Sequence, residues 1–358
     1  MESTLTAPVL TADASAADIL AAADAYRAAN PRARARGVAA GLGISEAQLV
    51  AARTGAGVTR LRPEFPDLLM RLPELGPVMA LTRNDACVHE TTGTYKDGEM
   101  MPGPKMGLFV GKEIDLRLFF RRWTFAFFVE EGERLSFQFF DGAGDAVHKV
   151  YAVDKKDLGT TDVAAMRALA AEFASDDQSG TLSVAPYAAE AERDASEIDF
   201  DAFHAAWRDL KDTHDFYGLL RTHGVSRRQA VRHAPADLAR PLADAATAAR
   251  RVLTAARDAQ QPIMVFVGNE GCVQIFTGRV ERLVETGPWF NVLDPRFNLH
   301  LDEAKVVEAY VVVKPTVDGI VTSVECFDAD GALVVQFFGE RKPGIPELQG
   351  WRDLVSAL

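Results

Sequence analysis

Val78-Met-Ala-Leu-Thr-Arg-Asn-Asp-Ala-Cys-Val-His-Glu-Thr-Thr-Gly93 and Ile263-Met-Val-Phe-Val-Gly-Asn-Glu-Gly-Cys-Val-Gln-Ile-Phe-Thr-Gly278 are two versions of one stretch. Asn84 falls on Asn269, Cys87 on Cys272 and Gly93 on Gly278, each 185 positions apart. Phe140-Asp141 and Gly144 fall on Phe327-Asp328 and Gly331, 187 apart. Upstream, Leu42-Gly-Ile-Ser-Glu-Ala-Gln48 lies over His223-Gly-Val-Ser-Arg-Arg-Gln229, 181 apart. Three blocks at nearly one offset describe a tandem duplication of a unit of about 180 residues, not a short-period solenoid.

Each copy reads helices first and strands later. Ala16–Ala29 is alanine-rich and helical, with Ser15-x-x-Asp18 as a capping box. Ser45-x-x-Gln48 opens another helix and Ser226-x-x-Gln229 its partner in the second copy. The β-rich runs Val78–Leu81, Leu116–Phe119, Thr124–Val129 and Leu135–Phe140 follow, with a turn at Asp141–Gly144. The second copy adds Ile263–Val267, Val273–Phe276, Val306–Val313, Gly319–Phe327 and Ala332–Phe338, with a matching turn at Asp328–Gly331. Consecutive strands joined by short turns predict antiparallel sheet. The expected class is α+β, each half a large antiparallel sheet with helices packed on it. Thr161–Phe173 closes the first half as a helix, Ser175–Ser196 reads as the linker, and the halves are 1–178 and 179–358.

The 358 residues carry 39 Lys+Arg against 51 Asp+Glu, a net charge of −12. That balance argues against a protein that coats nucleic acid. With 48% hydrophobic residues the chain can bury a sizeable core, which excludes disorder and a disulfide scaffold. Cys87, Cys272 and Cys326 form no C-x-x-C pair, so no zinc ribbon or thioredoxin signature exists. The N-terminus shows no basic and apolar secretory pattern, and apolar runs fall far short of the roughly 20 residues of a membrane span. A cytoplasmic protein with no membrane insertion is expected.

Comparing the copies isolates what the second alone has. Phe203, Trp207, Leu210, His214 and Tyr217 recur at spacings of 4, 3, 4 and 3 and predict one helix, Phe200–Arg221, with all five on a single buried stripe. The first copy has Ala33 where the second has His214. His214 then admits two readings, a hydrogen-bonded core histidine or a ligand to a metal or haem iron. Arg221, Arg227, Arg228 and Arg232 follow with no acid between them, and Arg227 replaces Glu46 of the first copy. They read as a solvated basic face, an anion site at a helix start, or the second helix of a helix-turn-helix.

Further motifs carry a resemblance. Lys211-Asp-Thr-His214-Asp-Phe-Tyr217, Gly111-Lys-Glu-Ile-Asp-Leu-Arg117-Leu-Phe119, Phe290-Asn-Val-Leu293 with Phe297-Asn-Leu-His300-Leu301, Gln336-Phe-Phe-Gly339-Glu-Arg341 and Trp351-Arg352 together resemble the hemin-degrading factor family of HemS/ChuS/HmuS type. The resemblance covers nearly the whole chain. It implies two similar halves, with haem b as ligand or substrate in a cleft of the C-terminal half and the N-terminal half closing the distal side. It places the axial ligand to haem iron on His214, a propionate-binding arginine on Arg227 and a propionate-binding lysine on Lys314. It places a distal arginine on Arg117, a pocket aromatic on Phe119, apolar pocket positions on Met264 and Phe266, and haem neighbours on Gln336 and Phe338. Relatives can carry tyrosine where Phe338 stands, so one hydroxyl contact is missing here. A second distal arginine falls near Arg341.

The chemistry of these residues suits that ligand. A neutral imidazole binds ferric iron, and its other N–H needs an acceptor. Arginine forks onto carboxylates, and thioether and aromatic groups pack on a porphyrin. On strands the same apolar residues also read simply as core. Arg117 reads either as an exposed residue paired with Asp115 or Glu113, or as a fixed cation that stabilises charge on bound oxygen. His223 and His233 read as surface residues or transient haem ligands, His300 as structural, and His148 and His204 carry no signal.

No P-loop and no H-E-x-x-H occur, and Arg60 breaks the glycine pattern that begins at Gly55 and Gly57. Degradation would therefore draw electrons from outside. The expected function is haem uptake and iron use, either transferring haem or opening it as a haem-oxygenase-like monooxygenase. The expected partners are haem, a haem importer at the cytoplasmic face of the membrane, a haem oxygenase or a reductase. A haem-responsive DNA-binding regulator using helix 226–233 is the alternative, with nucleic acid otherwise an unlikely partner.

Overall fold

Ser15, Ser45 and Ser226 each open a helix through a reciprocal capping box, with partners Asp18, Gln48 and Gln229. Gly43 and Gly224 end the helices just before two of these caps. Both are left-handed, at φ 72° and 63°, which a side chain would disfavour. One helix–Gly–x–Ser–helix device thus recurs at the 181-residue offset. The computed structural model describes residues 10, 14–103, 105–188, 191–341 and 344–358. These form two units. The first takes the described residues of Met1–Thr82, Thr92–Ala188 and Asn269–Cys272; the second takes those of Arg83–Thr91, Ala189–Gly268 and Val273–Leu358.

In the first unit five antiparallel strands run in the order Val58–Leu61, Phe125–Glu131, Arg134–Phe140, Ala146–Ala152, Val78–Arg83. Three more, Asp115–Leu118, Gly107–Val110 and Gly98–Met100, pair in that order. One sheet face packs Val78, Ala80, Phe137, Phe139 and Val150 against helices Phe65–Arg71 and Val163–Glu172. Each buried valine or phenylalanine among them is worth about 1.5–3 kcal/mol of transfer free energy. The linker segment contains no α-helix or strand among its described residues, as expected. It is nonetheless docked: the Gly142 N–H donates to Tyr187 Oη at 3.1 Å, and Arg122 lies 4.3 Å from the Tyr187 ring centroid.

The second unit repeats the plan. Its strands run Ala239–Pro241, Glu308–Thr316, Gly319–Phe327, Leu333–Gly339, Ile263–Gly268, Cys272–Gly278. A further group runs Cys87–Gly93, Phe297–Asp302, Trp289–Leu293, Leu283–Thr286. Val306 and Val307, expected in a strand, instead follow a 3-10 turn at Glu303–Lys305, and the strand begins at Glu308. Strand alternation divides the two faces. Ile263, Val265, Val267 and Phe337 enter the core under helices Ala248–Asp258 and Gln349–Ser356. The opposite face is covered at one side by helices Phe200–Arg208, Asp215–His223 and Arg227–Arg232, through Phe203, Trp207, Phe216 and Tyr310. Trp207 Nε1 donates to Val313 O at 3.0 Å, which satisfies the indole inside that layer.

Candidate functional site

The expected single helix Phe200–Arg221 is two helices, Phe200–Arg208 and Asp215–His223. The break has a local cause. Asp212 Oδ1 accepts from the His214 backbone N–H at 2.8 Å, an aspartate turn that competes with continued helix. The Val317 N–H donates to Lys211 O at 3.0 Å and ties the turn to the hairpin below. The phase of the buried stripe therefore shifts: Phe216, not His214, continues the line of Phe203, Trp207 and Leu210. Phe216 packs 4.7 Å from Trp207, centroid to centroid. His214 does not point into the core; its side chain is 84% exposed. Tyr217 is exposed as well.

The imidazole is nonetheless fixed. Asp212 Oδ1 also lies 2.6 Å from His214 Nδ1. A carboxylate there accepts a hydrogen bond from Nδ1–H and leaves Nε2 as the free lone pair, the arrangement of a metal-ligating histidine. The backbone N–H of His214 holds the Asp212 carboxyl below its ordinary range against the opposing effect of burial, and the ring and Arg341 add to this. Arg341 thus stands within electrostatic reach of the turn. Its guanidinium meets Asp318 at 3.5 Å, while its Nε is buried with no hydrogen-bond partner among the described residues.

Two strands of the same unit present the apolar positions. Met264 pairs with Phe338 and Phe266 with Gln336, so all four side chains share the face opposite the helix-covered core. Met264, Phe266 and Phe338 are half-buried, and the two phenyl rings meet at 4.9 Å. Gln336 is 8% exposed, and its Nε2 has no hydrogen-bond partner among the described residues. A buried donor left so is costly unless something fills the space beside it.

The cations converge on one buried carboxylate. Glu325, paired with Gln336 across the strands, is 0% exposed. Arg227 donates from Nε to Oε2 at 2.8 Å and from Nη2 to Oε1 at 2.9 Å. Lys314 Nζ and Ser323 Oγ donate to Oε1 at 2.9 and 3.0 Å. Burial alone would raise the Glu325 carboxyl; the two cations overcome it and hold it far below the carboxylate range. Burial pulls Lys314 down, with Glu325 opposing. Both cations lie over Phe216, Lys314 at 4.7 Å and Arg227 at 5.6 Å from its centroid. The cluster holds two positive charges against one negative. Its exposed member is Arg227, at 28%, whereas Lys314 is 3% exposed.

In the first unit, Arg117 lies on strand Asp115–Leu118 between buried Leu116 and Leu118. Its guanidinium pairs with Asp115 and donates to Leu116 O at 3.1 Å. Phe119, half-buried, follows at the strand end, where its N–H donates to Gly271 O at 2.9 Å. The basic helix of the second unit is not a free cationic face. Arg228 pairs with Glu192 and Arg232 with Glu308, beside Arg227 with Glu325. His233 stacks on Phe200 at 4.4 Å, and His300 Nδ1 lies 2.7 Å from Asn291 Oδ1. Asp212, Phe216 and Glu325 were missed by sequence reasoning. Their signals were an aspartate two positions before the histidine and a lone acid in the apolar run Val324-Glu-Cys-Phe327.

The haemin-degrading HemS.ChuX domain matches the chain twice, at residues 43–173 and 224–358. Over 337 residues the chain is 39% identical to the hemin transport protein HemS of Yersinia enterocolitica, covering 93% of this chain and 94% of that protein. Over 341 residues it is also 39% identical to the hemin transport protein HmuS of Yersinia pestis, with the same coverage. Holo-PhuS, a heme-binding protein from Pseudomonas aeruginosa, superposes with a TM-score of 0.92 at 44% identity, over 96% of this chain and 99% of that one. The heme degrading enzyme ChuS of Escherichia coli O157:H7 gives 0.84 at 37%, over 93% and 96%. The chain belongs to the haemin-degrading HemS/ChuX family and carries two copies of its domain.

Proposed function

We propose that this chain binds haem through its second unit and serves haem uptake and iron use, transferring the haem or opening it to release iron. One observation carries the reading: His214 presents Nε2 to solvent while Asp212 holds its Nδ1 at 2.6 Å. Core histidines are not exposed, and unconstrained surface histidines do not hold one tautomer. In this reading His214 is the axial ligand. Met264, Phe266 and Phe338 cover porphyrin, Gln336 Nε2 gains an acceptor, and Arg227, backed by Lys314, meets propionate. Arg117 and Phe119 carry, from the family resemblance alone, the roles of a cation that would stabilise developing negative charge and of a pocket aromatic. The protein works in the cytoplasm, receives haem from an importer and draws electrons from a reductase or passes haem to an oxygenase.

A single-turnover reaction separates the two outcomes. Hemin-loaded protein is mixed with ascorbate, catalase and O₂. Loss of the Soret band with a biliverdin-type product identifies an enzyme. A stable Soret band, with transfer to apomyoglobin faster than release into solvent, identifies a carrier. Absence of saturable hemin binding overturns both.

A further inference from the structure

Arg227 sits where a cation is out of place. It is the first residue of its helix, beside backbone N–H groups that favour an anion. The first copy has Glu46 there, and Glu46 pairs with Lys149 of the sheet at 2.5 Å. The second copy puts arginine on the helix and its acid on the neighbouring strand: at the 187-residue offset Lys149 falls on Gln336 and Gln138 on Glu325. This arrangement puts a buried acid under a site that, on the reading above, receives an acidic ligand.

Glu325 does not simply neutralise Arg227. It binds the guanidinium along one edge, Nε and Nη2, so that Nη1 is not spent on it. Its Oε1 also receives Lys314 and Ser323, which locks the carboxylate itself. Across the strands stands Gln336, whose buried Nε2 lacks an acceptor among the described residues. We infer that Glu325 is a positioning residue for carboxylate recognition: it orients Arg227 so that its remaining edge, with Gln336 Nε2, reads one carboxylate of the bound ligand. Two positive charges against one leave a single net positive charge, matched to a single carboxylate. The inference rests on the haem reading for the identity of that carboxylate.

The test compares hemin with its dimethyl ester, which keeps the macrocycle and iron but has no free carboxylate. Both are titrated into wild type, Arg227→Ala, Glu325→Gln, and the double variant Glu325→Gln/Lys314→Met. The double variant removes one charge of each sign and so avoids leaving a buried cation unpaired. Thermal melts establish folding, and the Soret position reports iron ligation separately. Wild type is expected to prefer hemin by about tenfold or more, worth about 1.4 kcal/mol. Arg227→Ala, Glu325→Gln and the double variant are expected to reduce the preference to within about threefold. Preference retained in the folded double variant but lost in Arg227→Ala overturns the positioning role, as does an increased preference in Glu325→Gln. Equal binding of hemin and ester by wild type overturns carboxylate reading while leaving haem binding intact. Failure of wild type to bind hemin at all rejects the haem reading itself.

Discussion

The two copies use one scaffold with different side chains in the same slots. In the first, the helix that opens at Ser45 offers Glu46 to Lys149, and Lys149 pairs across the sheet with Gln138. In the second, the helix that opens at Ser226 offers Arg227 to Glu325, and Glu325 pairs with Gln336. Beside Lys149 stands His148, and beside its counterpart Gln336, 187 positions on, stands Val335. His148 is wholly buried, with Nε2 2.7 Å from Tyr95 Oη and Nδ1 2.9 Å from Thr82 Oγ1. Val335 sits in an apolar core. The first copy therefore buries His148 and pairs Glu46 with Lys149 inside. The second exposes His214, although His204 is buried, and leaves its ion cluster with a surplus charge. The difference separates a buried, paired histidine and an ion pair in one unit from an exposed histidine and an ion cluster of net positive charge in the other.

The largest expected effect breaks the closed pair. Lys149→Ala removes the cation 2.5 Å from the buried Glu46 carboxylate and should cost up to about 3–5 kcal/mol in urea unfolding. Glu46→Gln with Lys149→Met should recover most of that loss.

The next tests the interior histidine. Burial pulls His148 from 6.5 to about 3, so the unfolded chain binds a proton there that the folded chain refuses. The His148 contribution is complete above the unfolded value of 6.5 and is lost as pH falls from there toward 3, at up to roughly 1.4 kcal/mol per pH unit. His148→Val installs the residue of the other copy. It should cost about 1–3 kcal/mol at pH 7.5 by stranding Tyr95 and Thr82, and flatten the decline between pH 6.5 and 5. Denaturant midpoints at those pH values check both.

A smaller effect is expected at the exposed histidine's support. Asp212→Ala should weaken hemin binding by about tenfold or more through loss of the Nδ1 acceptor. Asp212→Asn, which keeps an oxygen, should be milder. Both are read by Soret titration. Least of all should Arg232→Ala matter. Its pair with Glu308 is partly solvated and worth less than about 1 kcal/mol. A salt-sensitive gel shift abolished by this change would instead support a DNA-binding face, which the ion pairs of Arg228 and Arg232 argue against.

The duplication, the capping boxes and the long central strands were legible in the sequence, because serine caps, glycine turns and β-rich runs are local signals; strands such as Val58–Leu61, Ala146–Ala152, Trp289–Leu293 and Phe297–Asp302 were not read. The break at Asp209–His214 was not. The stripe spacing of Phe203, Trp207, Leu210 and His214 fits a continuous helix, and only the turn formed by Asp212 and the tie from Val317 show why it stops. The same error put His214 in the core. Motif resemblance selected His214, Arg227 and Lys314, but not that two of them share Glu325. That carboxylate is nearly a hundred residues from Arg227 along the chain, and only strand register reveals the meeting. His148 carried no pattern either, since its partners Tyr95 and Thr82 come from separate strands and loops.

The central claim is that the second copy's exposed histidine is a haem-iron ligand, and a hemin titration of wild type beside His214→Ala tests it most directly. The account predicts a saturable one-to-one complex in wild type, and in the variant a shifted Soret band with affinity lower by about a hundredfold. Equal affinity and an unchanged spectrum in the two proteins would contradict it and make the Asp212–His214 pair a surface turn alone.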